Sequence, residues 1–150
     1  MTIDWVCKHH SDLGKEQLYA ILQLRTEVFV VEQKCAYQDI DSQDLEGDTC
    51  HLMAWDGDQL VAYLRLLDPA SQGGDVVIGR VVIAAQARGK GLGHELMANA
   101  LKQAEKHWPE VPVYLSAQAH LQGYYERYGF VVAGEEYLED DIPHIGMRKA

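Results

Sequence analysis

The chain has 150 residues, 47% hydrophobic and 24% charged, a size and balance that exclude disordered and fibrous classes and allow roughly 70% of the unfolded surface to be buried. Thirteen Lys and Arg face 23 Asp and Glu, for a formal charge of -10, and that field repels nucleic acid and anionic membrane surfaces while favouring cationic partners. No apolar run approaches the roughly 18 residues of a membrane span, and MTIDWVCKHHSDLGKEQ carries acids and histidines where a secretory signal needs continuous apolar residues. A single domain over 1–150 in the cytoplasm is therefore expected.

Ile3 to Cys7 reads as a strand, and Asp12 as the cap of a helix on which Leu18, Ile21, Leu22, Arg25, Val28 and Phe29 recur at the 3.6-residue period. The next stretch, FVVEQKCAYQDIDSQDLEGD, mixes periodicities and gathers Asp39, Asp41, Asp44, Glu46 and Asp48, which predicts a loop with a short helix. CHLMAW and QLVAYLRLL, joined by Asp56-Gly57-Asp58, predict a β-hairpin, because Asp-Gly supplies the positive-φ turn residue. After DPASQGGD, the β-branched segment Val76 to Ile83 predicts a buried strand running almost directly into QARGKGLG. Leu92, Leu96, Ala100, Leu101 and Ala104 then trace one helical face that stops before Trp108-Pro109. Val113 to Ser116 reads as a strand and His120 to Tyr128 as a helix, with Phe130 to Val132 and Ile145 to Met147 as short strands. Cys7, Cys35 and Cys50 are odd in number and lack a C-x-x-C pair, so packed thiols are expected rather than disulfides or a zinc site.

The glycine loop is the informative motif. Gly89, Gly91 and Gly93 burden folding with backbone entropy, and they have two explanations. One is a tight strand-to-helix turn. The other is an anion at the helix N-terminus, where unpaired amides and the helix dipole act together and bare backbone permits close approach. Arg88 adds charge at the rim, and Lys90 does so too unless it is simply a solvated side chain. The spacing is not the dinucleotide G-x-G-x-x-G, no Gly-Lys-Ser/Thr supplies a P-loop, and no acidic ribose partner follows about 20 residues on. His94-Glu95 opens like a zincin helix, but Ala98 stands where the second histidine belongs, so no metal is expected.

Arg88 to Gly93 resembles the R-x-x-G-x-G acyl-CoA signature of the GNAT family of N-acetyltransferases, in the required context of a preceding strand and a following helix. About 30 residues on, Tyr124-Tyr125-Glu126-Arg127-Tyr128-Gly129-Phe130 is similar to that family's aromatic-Tyr-x-x-x-Gly-Phe segment. In the N-terminal half, Leu24-Arg25 and Val28 to Gln33, with Cys35, Tyr37, Asp39, Asp41, Asp44 and His51, resemble the ElaA-like branch, as does Ile142-Pro143-His144-Ile145. The resemblance covers nearly the whole chain. It implies an α/β (α+β) fold: a mixed, mostly antiparallel twisted sheet of six or seven strands flanked by about four helices.

It also implies acetyl-CoA as cosubstrate, with backbone groups of Val81, Val82 and Ile83 along the pantetheine arm and amides of Arg88, Gly89, Lys90, Gly91, Leu92 and Gly93 at the pyrophosphate. Gln118 stands where many relatives carry Asn, and it still offers an amide. Tyr125 matches the family tyrosine that protonates the departing thiolate, and a phenol near its ordinary pKa of about 10 is protonated at neutral pH. Tyr124 and Tyr128 lie on other faces of that helix and are expected in the core. The general base is left among Glu32, His51, His120, His144 and water, and Arg25 and Tyr37 are expected to shape the acceptor pocket. The acidic stretches Asp39 to Asp48 and Glu135 to Asp141 either attract a protonated amine or form solvated loops. The expected partners are acetyl-CoA and a primary amine of a small molecule or peptide, with a homodimer allowed. A non-catalytic acyl-CoA sensor is the alternative reading, and a nucleotide or nucleic-acid binder is disfavoured by charge.

Overall fold

The computed structural model describes residues 2–150. An eight-stranded sheet runs β1 (Asp4–His9), β2 (Cys50–Asp56), β3 (Gln59–Leu67), β4 (Val76–Ile83), β5 (Val113–Gln118), β8 (Ile142–Lys149) and β6 (Val131–Val132), with β7 (Tyr137–Glu139) also paired to β8. Every pairing is antiparallel except β4 with β5. A parallel pair needs a crossover, and α2 (Leu92–His107) supplies it, entered through the glycine loop. The helices are α1 (Lys15–Arg25), α2 and the short α3 (Gln122–Glu126).

α1 begins later than Asp12, which sits in a short 3-10 turn. Gln17 instead folds its side-chain carbonyl back onto the Gly14 N–H at 2.9 Å, the reciprocal half of a capping box. The helix does not stop at Arg25 but continues as a π-helix over Thr26–Glu32, where Gln33 N–H donates to Val28 C=O and Cys35 N–H to Val30 C=O. The stretch beyond it, through Thr49, carries no regular helix or strand. The Asp56 to Asp58 hairpin forms as expected, with Gly57 at φ 64°. β7 is the element missing from the sequence reading: its residues are all exposed, so no buried alternation announces it.

β2 and β3 are buried along almost their full lengths and form the floor of the core. α2 lays Leu92, Leu96, Met97, Ala100 and Ala104 on it, and α1 adds Ile21 and Leu24. Leu96 is fully buried. Leu96→Ala should therefore lower unfolding free energy by about 2–5 kcal/mol in urea titration; a loss under about 1 kcal/mol would mean that the helix does not depend on this seat.

Candidate active site

β4 and β5 are hydrogen-bonded only at Val76↔Val113, Val77↔Tyr114 and Ile78↔Leu115. Beyond that point β4 continues to Ile83 beside β3, and β5 continues to Gln118 beside β8, so the two inner edges part. The departure coincides with a bulge: Arg65 faces Gly79 and Tyr63 faces Val82, and Arg80 between them has φ 53°. A bulge adds one residue to a strand and bends it. Here it turns β4 away from β5 and opens a cavity of about 600 Å³.

Val81, Gln118, Tyr125, Tyr37 and His144 all line this cavity. Tyr125 is 8% exposed, and its hydroxyl has no hydrogen-bond partner among the described residues. Burial, then the neighbouring Tyr128, pushes its pKa up. Gln118 stands opposite His144 across β5 and β8. His144 Nδ1 is 2.8 Å from the Ile142 carbonyl oxygen, and a carbonyl only accepts, so Nδ1 carries the proton and Nε2 is left bare in the neutral ring. Nε2 lies 3.3 Å from Glu139 Oε2. Tyr37 donates to Asp39 at 2.8 Å, with the Arg80 guanidinium over its ring.

The glycine loop leads from β4 into α2. Gly89 and Gly91 have φ 79° and 78°, which a Cβ would strain by roughly 1–2 kcal/mol each. The first amide bonded into the helix is Glu95 N–H to Gly91 C=O, so the amides of Gly89 to His94 are left for an anion, whereas the Arg88 amide expected there already donates to Ala85 C=O at 3.4 Å. Arg88 is bidentate to Glu32, at 2.8 and 3.2 Å, and its Nε donates to Ile83 C=O at 3.1 Å. Ile83 thus offers no free carbonyl while that contact holds. Tyr124 and Tyr128, expected in the core, are half-buried and pack against its edge, where they gather at this helix start. The Tyr124 hydroxyl lies 3.3 Å from where a Cβ at Gly93 would stand, and Tyr128 bonds the His94 ring.

Four predicted acceptor-side residues do not reach the cavity: Glu32, which faces Arg88 instead, and Arg25, His51 and His120. Arg25 is completely buried and bonds Asp39 and Asp44 at 2.9 and 2.7 Å. His51 is equally buried between the Tyr63 hydroxyl at 2.6 Å and Asp44 C=O at 2.9 Å, and burial lowers its pKa. His120 is exposed and lies off the lining. The physical reason for Arg25 is that a buried guanidinium requires carboxylates around it.

Arg65 and Arg80 are the residues that sequence reasoning missed. Arg65 bonds Asp41 at 2.6 Å and Asp44 at 3.0 Å. Arg80 Nε approaches Asp39 at 2.8 Å, as an ion pair rather than an aligned hydrogen bond, and its Nη2 lies 3.2 Å from Asp41. The signal was present: two arginines inside the apolar strands QLVAYLRLL and VVIGRVVI needed acids, and Asp39, Asp41 and Asp44 were at hand.

Residues 9–150 match the model of the acetyltransferase (GNAT) domain. The chain belongs to the GNAT family. It is 52% identical over 147 residues to Protein ElaA of Escherichia coli strain K12, covering 98% of this chain and 96% of that protein, which places it in the ElaA-like branch. The crystal structure of E. coli ElaA superposes with TM-score 0.95 at 51% identity, over 99% of this chain and 100% of the other. That of an acyl-CoA N-acyltransferase from Pseudomonas aeruginosa superposes with TM-score 0.98 at 68% identity, also over 99% and 100%. An aminoglycoside 6′-N-acetyltransferase solved with coenzyme A shares the fold at TM-score 0.69 and 16% identity, over 96% of both chains. This GNAT chain has no helix among its described residues long and apolar enough to cross a membrane.

The Arg–Asp cluster makes stability depend on acid. Burial alone would raise the Asp41 pKa, but the hydrogen bond and charge of Arg65 overcome it and hold the carboxyl well below its ordinary range. Asp44 is lowered in the same way, by Arg25 and Arg65 against burial. A carboxyl whose folded pKa lies below its unfolded value of about 3.9 contributes stability above that value, and the contribution disappears as pH falls through the folded pKa. The urea midpoint should fall as pH drops below about 4, and less steeply in Asp41→Asn, which starts from lower stability at neutral pH. A variant slope equal to the parent's would remove Asp41 from the acid response.

Proposed function

We propose that the chain transfers an acetyl group from acetyl-CoA to a primary amine, both bound together in the cavity between β4 and β5. The observation that carries this is the unpaired inner edge of β4, which runs from a cavity holding a buried, unpartnered Tyr125 into a helix start with free amides. On this reading the pantetheine amides take the backbone groups of Val81, and of Ile83 once Arg88 leaves its carbonyl, as a replacement strand would, while the backbone of Val82 is turned toward β3. The pyrophosphate takes the amides of Gly89 to Gly93, with Arg88 and Lys90 supplying charge.

Chemistry then requires two proton movements. The amine must lose a proton to attack the thioester carbonyl, and the departing thiolate must gain one when the C–S bond breaks. Of the proton acceptors considered from sequence, His144 alone lines the cavity. Its bare Nε2 takes the ammonium proton, and Glu139 beside it stabilises the resulting imidazolium. Tyr125, whose raised pKa keeps it protonated at neutral pH, donates to the thiolate. Holding both substrates in one cleft supplies much of the remaining acceleration.

Acetyl-CoA at about 100 times its dissociation constant should stabilise the fold by about 2.7 kcal/mol, read as a rise in Tm that neither NAD nor ATP reproduces. No rise at millimolar acetyl-CoA would overturn the ligand assignment. Tyr125→Phe should lower kcat by roughly 100-fold or more while leaving the acetyl-CoA KM nearly unchanged. Full turnover in that variant would remove Tyr125 as the acid.

A further inference from the structure

The two acidic stretches of the chain have different fates. Asp39, Asp41 and Asp44 are each in contact with at least one of Arg25, Arg65 and Arg80. Three carboxylates and three guanidiniums make that cluster neutral. The second stretch is not neutralised. Glu139 and Asp140 line the cavity from the β7–β8 hairpin, Glu139 meets only the His144 ring, and Asp140 has no ion-pair or hydrogen-bond partner among the described residues. Both lining arginines already face carboxylates, and no lysine lines the cavity. The cavity therefore presents uncompensated negative charge and no uncommitted cation.

A substrate amine with a carboxylate on the next carbon would bring its anion toward Glu139 and Asp140 with nothing to pair it. A substrate with a second ammonium group would find a partner for each charge: His144 and Tyr125 at the reacting nitrogen, and Asp140 at the other. We infer that the acceptor is a dication, a diamine, a polyamine or an amine flanked by a second cationic group, and that Asp140 is a specificity-determining residue that binds the non-reacting cation. This rests on the acyltransferase reading and narrows it from amines in general to amines without an adjacent carboxylate. Asp140 and Asp141 have φ 51° and 63°, the positive-φ pair of a type I′ turn, which Asn adopts as readily as Asp. Asp140→Asn therefore removes the charge and keeps the hairpin.

The test is a thiol-release assay with acetyl-CoA and three acceptors of similar length, 1,4-diaminobutane, n-butylamine and γ-aminobutyric acid, beside the longer spermidine, with lysine and lysinamide as a matched pair. The diamine should exceed the monoamine in kcat/KM by roughly tenfold at low salt, with the advantage shrinking at about 0.5 M salt as screening shortens the field. Lysinamide should exceed lysine, and γ-aminobutyric acid should be the poorest. Asp140→Asn should raise the diamine KM about three- to tenfold with kcat and the n-butylamine KM little changed. Monoamine or amino-acid turnover equal to that of the diamine, or an unchanged ratio in Asp140→Asn, overturns the inference. So does the absence of thiol release with every acceptor when acetyl-CoA still raises Tm. If acetyl-CoA fails to raise Tm at all, the acyltransferase reading itself has failed.

Discussion

Two adjacent strands in the middle of a sheet that stop exchanging hydrogen bonds leave a row of backbone donors and acceptors facing each other across a gap. Such groups are rarely left unpaired when buried. The gap between β4 and β5 is therefore a demand for something hydrogen-bonding and extended. The protein keeps the gap open from outside: the bulge at Gly79 and Arg80 bends β4, and the Arg80 guanidinium, held by Asp39 and Asp41, anchors the bend to the loop that follows the π-helix.

That loop is fastened in an unusual way. Its apolar side chains Ile40 and Leu45 are 54% and 60% exposed, so it does not dock by burying hydrocarbon. It docks through its acids, driven inward onto three arginines from α1, β3 and β4. A cluster of this kind need not stabilise the fold more than hydrophobic packing would, since desolvation offsets much of the attraction. What it does is fix position. Each carboxylate meets arginines from different elements, so α1, β3, β4 and the loop are held in one register. One consequence is chemical: with these charges internally balanced, the electrostatics of the cavity are left to the hairpin at Glu139 and Asp140.

The strands and helices with strong periodicity were legible because burial had written itself into their residues; β2, β3, β4 and α2 are of this kind. The glycine loop was legible because positive φ at Gly89 and Gly91 leaves few alternatives. Arg25 was misassigned to the acceptor pocket because a sequence shows that an arginine occurs, not which carboxylates surround it. The same ambiguity left Asp39, Asp41 and Asp44 between attracting a protonated amine and forming a solvated loop, when they in fact pair with buried arginines. β7 escaped because an exposed three-residue strand is held by its partner, not by its own composition. The histidines were separable only with coordinates, since burial and hydrogen-bond partners distinguish His51, sealed against Tyr63, from His144, open to the cavity.

The π-helix joins these themes. An i→i+5 bond places more residues in each turn than an α-helix does, so continuing α1 through Thr26–Glu32 in this form changes which side chains face the sheet. Val28 enters the core, Phe29 lines the cavity, and Glu32 comes opposite Arg88. The next residues, Gln33, Cys35 and Tyr37, continue the lining. One short segment thus contacts the glycine loop at Arg88 and also walls the cavity between β4 and β5. The Arg88–Glu32 contact is exposed on both sides, and exposed pairs contribute only about 0–1 kcal/mol, so an anion at the glycine loop can take Arg88 at small cost. Releasing Arg88 also frees the Ile83 carbonyl that its Nε had occupied. The same displacement therefore exposes the last backbone acceptor of β4 to whatever lies beside it.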